Sequence, residues 1–277
     1  MSRTQLVVLG SGTPNAEADR AGSGLAIAVD DLPYLVDCGH GVVQRVVEAS
    51  AAGIINWSTV DLRRLFVTHL HADHTVGLPD LLFTPWIHGR EEPVLAHGPP
   101  GLGDMVDHIQ AAYRVNTREH LRAHPASPDG FKADVKTVRA GEFYADERLR
   151  VHALQADHGD LEAFSYKFLT PDKTIVVSGD TKPVAGFAEW AGAPDILVHE
   201  VYSSAKFPGR PAAWQAYHSR THTSATELAD LANAIRPGLL LLYHQLFWRT
   251  TAADLVSEIK ASYAGPVVSA KDLDVYS

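Results

Sequence analysis

The sequence is poor in cysteine, in long apolar runs and in basic charge. Its single cysteine, Cys38, excludes an intramolecular disulfide and fits a reducing compartment, the cytoplasm. No segment approaches the roughly 18 uninterrupted apolar residues that a membrane span needs. The apolar run in the opening MSRTQLVVLGSGTP is too short for a signal peptide, so no membrane association is expected. Lys and Arg number 24 against 33 Asp and Glu, a formal charge of -9, which argues against a broad footprint for nucleic acid or anionic lipid. Repeats, low-complexity tracts and linkers are missing as well. The 277 residues, 45% hydrophobic, are therefore expected to form a single domain over 1–277 with a real core. What stands out is histidine, 15 residues, several of them beside Asp and Gly at the ends of apolar segments.

Turn residues separate short apolar segments at 5–9, 25–29 and 34–38, the pattern of a β-meander. Val42, Val43, Val46 and Val47 have helical spacing within 41–52, and a strand is expected at 64–67. Helices are expected at 78–87 and 102–114, and the polar, Pro-containing stretch 116–130 reads as irregular. Strands follow at 132–138, 149–154, 164–169, 174–178 and 196–198, with a helix at 184–191. The chain then reads as helix 224–235, strand 239–243, helix 252–261 and a final short strand pair. Ser224 with Glu227 three residues on is an N-cap signature. The alternation predicts a layered α/β protein with a site at strand ends.

The sharpest chemical signal is Thr68-His69-Leu70-His71-Ala72-Asp73-His74, directly after an apolar strand. In extended backbone residues two apart face the same way, so His69 and His71 can share one ion while Asp73 and His74 turn towards a second. Imidazole and carboxylate in this mixture suit zinc, with manganese or iron(II) as alternatives. Four residues cannot complete two sites, so further donors are expected after later strands. His158 in Ala-Asp-His-Gly, Asp180 in Ser-Gly-Asp-Thr and His244 after 239–243 meet that expectation. A carboxylate shared by two dications offsets their repulsion, which suits Asp180 to the bridge.

HLHADH, SGDT, HEVY, the His-Thr-Ser segment at 222–224 and LLYH together resemble the ribonuclease Z branch of the metallo-β-lactamase superfamily. The opening LGSGTP with Arg20, the VDCG at 36–39 and HGPPGL at 97–102 are similar to that branch too, and the likeness covers essentially the whole chain. It implies a four-layer αββα sandwich, with His69, His71 and His158 on one zinc, Asp73, His74 and His244 on the other, and Asp180 bridging. It also implies that Glu200 orients His222 as general acid; on chemical grounds a water shared by the two ions would be acidified towards neutrality, and Asp73 can take its proton. Asp37 and His199 would stand behind the ligands, Asp37 orienting a ligand imidazole. Two departures matter. The arm with which ribonuclease Z grips tRNA lies between the third-motif His and Gly-Asp-Thr, yet His158 and Asp180 are only 22 positions apart. The family's Asp-Cys-Gly-Glu-Gly is here Asp37-Cys38-Gly39-His40-Gly41, and the segment after the last His is Gln245-Leu246-Phe247-Trp248.

With the acidic charge, these departures point to phosphodiester hydrolysis on a small or nucleotide-like ester rather than tRNA processing. Sulfate-ester, lactone or β-lactam hydrolysis would use the same metal set. An RNA endonuclease would need a local basic patch, for which Arg114, Arg118 and Arg122 are the candidates; a solvated helix face explains them equally. Aromatics at 83, 86, 214, 217, 247 and 248 either wall a pocket or belong to the core. A homodimer is expected because members of that branch often dimerise.

Overall fold

The structure, a computed structural model, describes residues 3–277. The chain divides into two compact units. One comprises Pro14–Val138 with the residues before Ser11 and Asp272–Ser277; the other comprises Arg139–Lys271 with Ser11–Thr13.

The first unit begins with β1 (Thr4–Gly10), β2 (Gly24–Val29) and β3 (Leu32–Val36), the antiparallel meander the turn signals predict. It continues through α1 (Val42–Ala51), β4 (Arg64–Phe66), α2 (Ala72–Thr75), α3 (Leu78–Ile87), β5 (Val94–Gly98), α4 (Leu102–Ala112), α5 (Arg114–Ala123) and β6 (Ala133–Thr137). From β3 to β6 the strands run parallel, and the C-terminal strand Val275–Tyr276 closes the far edge against β1, giving a seven-stranded sheet among the described residues. Val7, Leu9, Leu35 and Leu65 pack with Val42, Val46, Leu82 and Val106 from the helices. Their sequence neighbours Leu6, Val8, Tyr34 and Phe66, on the other face, are equally buried. A sheet covered on both faces explains why these strands read as continuous apolar runs instead of alternating ones.

The second unit consists of β7 (Gly141–Ala145), β8 (Arg150–Gln155), β9 (Phe164–Leu169), β10 (Thr174–Val177), α6 (Phe187–Ala191), β11 (Ile196–Tyr202), α7 (Ala212–Thr221), α8 (Ala225–Ile235), β12 (Leu239–Leu246), α9 (Ala252–Lys260) and β13 (Val267–Ser269). Here β7 to β10 are antiparallel and β10 to β13 parallel, again seven strands among the described residues. Val176, Leu197, Leu240 and Leu242 bury against Leu228, Ala232 and Ile235 of α8 and Leu255 and Ile259 of α9. The capping box forms as the sequence predicts: the Glu227 N–H donates to Ser224 Oγ at 3.2 Å and the Ser224 N–H to the Glu227 carboxylate at 2.9 Å. Such a cap contributes about 1 kcal/mol.

Several expectations fail. The stretch 116–130 is not irregular throughout, since α5 runs to Ala123 without burying a residue, so no apolar stripe marks it. The unpredicted α7 is likewise a mixture of aromatic and polar residues whose buried members are His218 and Thr221. The unpredicted β7 is a mostly exposed edge strand. The two last strands do not pair with each other: β13 adds to β12, and Val275–Tyr276 to β1. Val47 is 44% exposed, leaving Val42, Val43 and Val46 as the buried stripe of α1. No helix of the described residues is long and apolar enough to cross a membrane.

Candidate metal centre

The candidate ligands lie at strand ends: His69 to His74 follow the parallel β4 and Asp180 follows β10, as open α/β sheets place their ligand sites, whereas His158 follows the antiparallel β8 and His244 lies within β12. In the first unit β3 ends at Val36, and Asp37 turns into the left-handed region (φ 60) while its N–H donates to the Phe66 carbonyl at 2.9 Å. β4 ends at Phe66 on the adjacent strand and delivers Thr68 and His69. Asp37, 3% exposed, then gathers the cluster: Oδ1 accepts the Thr68 N–H at 2.7 Å, Oδ2 accepts the Thr68 hydroxyl at 2.9 Å, and Oδ2 accepts His74 Nδ1–H at 2.8 Å.

The one-turn helix α2 starts from His71 and lifts Asp73 and His74 out of the strand direction. Backbone bonds pin it: the Cys38 N–H donates to the His74 carbonyl at 2.8 Å and the Ser23 N–H to the Asp73 carbonyl at 3.1 Å. Gly39 has to be glycine here, because a Cβ would lie 2.2 Å from the Asp73 carbonyl oxygen. The rings of His69 and His74 are 4.0 Å apart between centroids, His69 Nε2 is 3.1 Å from His71 Nδ1, and His74 Nε2 is 3.5 Å from Asp73 Oδ2. His40, which stands where the ribonuclease Z pattern has Glu, is exposed.

In the second unit His158 follows β8, Asp180 follows β10, and His199 and Glu200 lie within β11. His244 is not past its strand, as the sequence reading has it, but inside β12. Tyr243 pairs with Glu200 and Gln245 with Val201, so His244 is the extra residue of a bulge, with φ 43. The bulge re-aims the imidazole, bringing Nδ1 within 3.5 Å of Asp180 Oδ1. His158 Nε2 lies 4.0 Å from Asp180 Oδ2, and so does His222 Nδ1. Asp180, His222 and His244 form a buried trio whose ligand atoms lie within 4.8 Å of one another. The structure thus presents His222 as a possible third donor to a cation as well as an acid, an alternative the motif spacing does not raise.

Glu200 stands beside His222: Oε1 is 3.3 Å from His222 Nδ1 and accepts the N–H groups of Thr181 at 3.2 Å and Thr223 at 3.0 Å. Its Oε2 is buried without a hydrogen-bond partner. Burial, reinforced by the Asp180 carboxylate, pushes the Glu200 pKa well above the usual carboxylate range. His199 Nδ1–H donates to the Glu200 carbonyl at 2.7 Å, and complete burial lowers its pKa to about 4, so it packs as a neutral ring. His222 occupies the short link between α7 and α8.

The donor set fits a divalent cation by its tautomers. A carbonyl only accepts, so His158 Nδ1, 2.8 Å from the Thr221 carbonyl, carries the hydrogen and Nε2 keeps its lone pair. The Asp37 carboxylate imposes the same tautomer on His74. The Thr68 hydroxyl, donating to Asp37, accepts from His69 Nδ1–H at 3.0 Å and frees Nε2 there too. Outward Nδ1–H bonds of this kind orient metal-binding histidines generally. Thr68 and the Thr221 carbonyl were missed by the sequence reading; the only signal for Thr68 is its place before His69.

Among the aromatics, Phe83 and Trp86 belong to the first unit's core, whereas Trp214 is 50% exposed and Tyr217, Phe247 and Trp248 are half-buried. Gln245 is buried, its carbonyl accepting the Ser269 hydroxyl at 2.7 Å.

Comparison with known proteins agrees with this chemistry. Ribonuclease Z of Mycobacterium sp. (strain KMS) is 29% identical over 245 residues, covering 87% of this chain and 84% of the relative. The metallo-β-lactamase fold protein YhfI of Bacillus subtilis superposes with a TM-score of 0.76 at 18% identity, covering 100% of both chains. Human tRNase Z, short form, gives 0.75 at 20% identity, covering 99% of this chain and 98% of that one. Two mixed sheets flanked by helices, with these likenesses, give the α/β sandwich of the metallo-β-lactamase fold. The chain is a ribonuclease Z-like, metal-dependent hydrolase of that superfamily, and its match over residues 4–254 to the family model described as Anti-Pycsar protein Apyc1 makes it a member of the Apyc1 family.

Proposed function

We propose that the chain is a dinuclear zinc phosphodiesterase acting on a small, nucleotide-like ester. The observation that carries this reading is the compactness of the segment between His158 and Asp180. It consists of β9, the turn 170–173 and β10, and leaves no room for an RNA-gripping arm. The likeness to proteins named ribonuclease Z supports a phosphoester as the bond cleaved. The ligand assignment follows the family motif: His69, His71 and His158 for one ion, Asp73, His74 and His244 for the other, and Asp180 shared. This treats residues 1–277 as one hydrolase domain. When bound, the ions supply Lewis acidity and acidify water towards neutrality.

The chain's own groups do the rest. Asp73, 9% exposed and the least buried of the candidate carboxylates, is the proton acceptor. His222, held through Nδ1–H by Glu200, keeps Nε2 available to hold a proton and deliver it to the leaving oxygen. Glu200 is fixed by two backbone N–H groups, so the imidazole cannot turn without losing its partner.

The test is metal content and hydrolysis on one purified sample, using bis(p-nitrophenyl) phosphate, p-nitrophenyl sulfate, a lactone and a chromogenic cephalosporin. About two zincs per chain with phosphodiester turnover dominant is the expected result. Dominant turnover of another ester or amide overturns the substrate class, and absence of metal overturns the reading. One observation favours a second reading, RNA endonuclease: α5 exposes Arg114, Arg118 and Arg122. Binding to RNA that falls steeply with salt would support it.

A further inference from the structure

Helix α5 buries no residue, and a short helix without an apolar stripe is marginal by itself. Its last turn and cap read His120-Leu121-Arg122-Ala123-His124, two imidazoles four positions apart, the helical spacing that lets two histidines share one metal ion. The His124 N–H donates to the His120 carbonyl at 2.9 Å, and the two rings lie 4.6 Å apart between centroids, tilted by 31°. His120 also meets the buried Trp86 edge-on at 4.6 Å, which fixes one of the two rings. Neither imidazole hydrogen-bonds to another described residue.

The pair borders a cavity of about 260 Å³ together with Trp86, Arg90, Glu91 and Ser127. The wall is tied down: Trp86 Nε1–H donates to the Ser127 carbonyl at 2.8 Å and the Ser127 hydroxyl to the Glu91 carbonyl at 2.6 Å. The Arg90 guanidinium is committed to the carbonyls of Leu62, Leu82 and Gly130, and Arg122 pairs with Glu119 at 2.7 Å. The exposed Glu91 carboxylate forms no ion pair with a described residue, and the last carbonyls of α5 add partial negative charge, so the two together offset Arg90. Metal–nitrogen bonds of about 2.0–2.1 Å place two nitrogens on one tetrahedral ion about 3.3 Å apart. Rings 4.6 Å apart between centroids reach that spacing by side-chain rotation, without moving the helix.

We propose that His120 and His124 chelate a transition-metal cation, Zn2+, Ni2+ or Cu2+, which anchors the last turn of α5 and leaves its remaining positions to Glu91 and water. A pair of neutral imidazoles selects these ions over Mg2+ and Ca2+. The site shares no residue with the candidate metal centre and does not rest on the phosphodiesterase reading. Once one imidazole has bound, the second binds intramolecularly, which raises affinity about 10²- to 10⁴-fold over a single histidine.

Cu2+ held by His120 would lie beside the ring that touches Trp86, close enough to quench the indole. Purified wild type, His120→Gln, His124→Gln and His108→Gln are titrated with Cu2+ and followed by tryptophan fluorescence; His108 is exposed and has no imidazole four positions away. Wild type and His108→Gln are expected to share a saturable quenching phase whose apparent affinity falls about 10²-fold or more in the other two variants. Absence of the phase in wild type, or equal affinity in all four proteins, overturns the chelate. Independently, added Zn2+ is expected to slow amide hydrogen exchange across 114–124 in wild type but not in His124→Gln, whose exposed side chain leaves folding intact. Exchange in wild type that ignores Zn2+ overturns the anchoring role.

Discussion

Replacing Asp37 by Asn changes one charge and almost no volume, and its effect can be worked through atom by atom. The carboxylate receives the Thr68 N–H at 2.7 Å on Oδ1 and His74 Nδ1–H at 2.8 Å on Oδ2, with the Thr68 hydroxyl also on Oδ2 at 2.9 Å. An amide offers one acceptor and one donor. If its oxygen keeps the Thr68 N–H, its NH2 confronts His74 Nδ1–H, and the conflict is relieved when His74 moves its hydrogen to Nε2. That move removes the lone pair directed at the metal. Loss of such an outer partner costs about 10- to 100-fold in metal affinity, or roughly 1.4–2.7 kcal/mol. The lost charge-assisted bond adds about 1.5–3 kcal/mol of destabilisation. The assay is competition with a chelator of known affinity at neutral pH, on wild type and on variant material whose far-UV spectrum shows it folded. A folded Asp37→Asn protein whose affinity for added divalent metal stays within a factor of two of wild type refutes the tautomer argument.

Three further outcomes are expected. His222→Ala keeps its metal by elemental analysis but loses about 10²- to 10⁴-fold in turnover, most with poor leaving groups; loss of metal would make His222 a ligand of the Asp180–His244 pair instead, whereas Asp180→Ala should lose most of the metal. Burial beside Phe66 and the Lys136 charge lower the His97 pKa to about 4, so the folded state binds fewer protons than the unfolded chain between pH 6.5 and about 4. Stability from this group is present above pH 6.5 and is lost as pH falls through that window; urea midpoints at pH 7 and 5 should converge in His97→Phe, and an unchanged gap would sink the assignment. Gly39→Ala drives a methyl to within 2.2 Å of the Asp73 carbonyl oxygen and should lower stability by about 1–3 kcal/mol; an unshifted Tm would show that α2 can move.

The sequence by itself determined which candidate donors the chain offers and most of the frame. His69, His71, Asp73, His74, His158 and Asp180 stand after apolar segments that do form strands, because a run buried on both faces, or one that alternates as β8 does, is legible without knowing its neighbours. The Ser224 cap was legible for the same local reason. Elements without an apolar stripe, α5 and α7, gave no periodic signal. Only the tertiary structure decided what each donor faces. Asp37 meets Thr68 across 31 positions, Glu200 meets His222 across 22, and His158 meets the Thr221 carbonyl across 63. The left-handed bulge that turns His244 towards Asp180 leaves no mark in the residue pattern. Ligand identity is a property of single residues, whereas tautomer, direction and partner are properties of backbone paths that meet only when the sheets form.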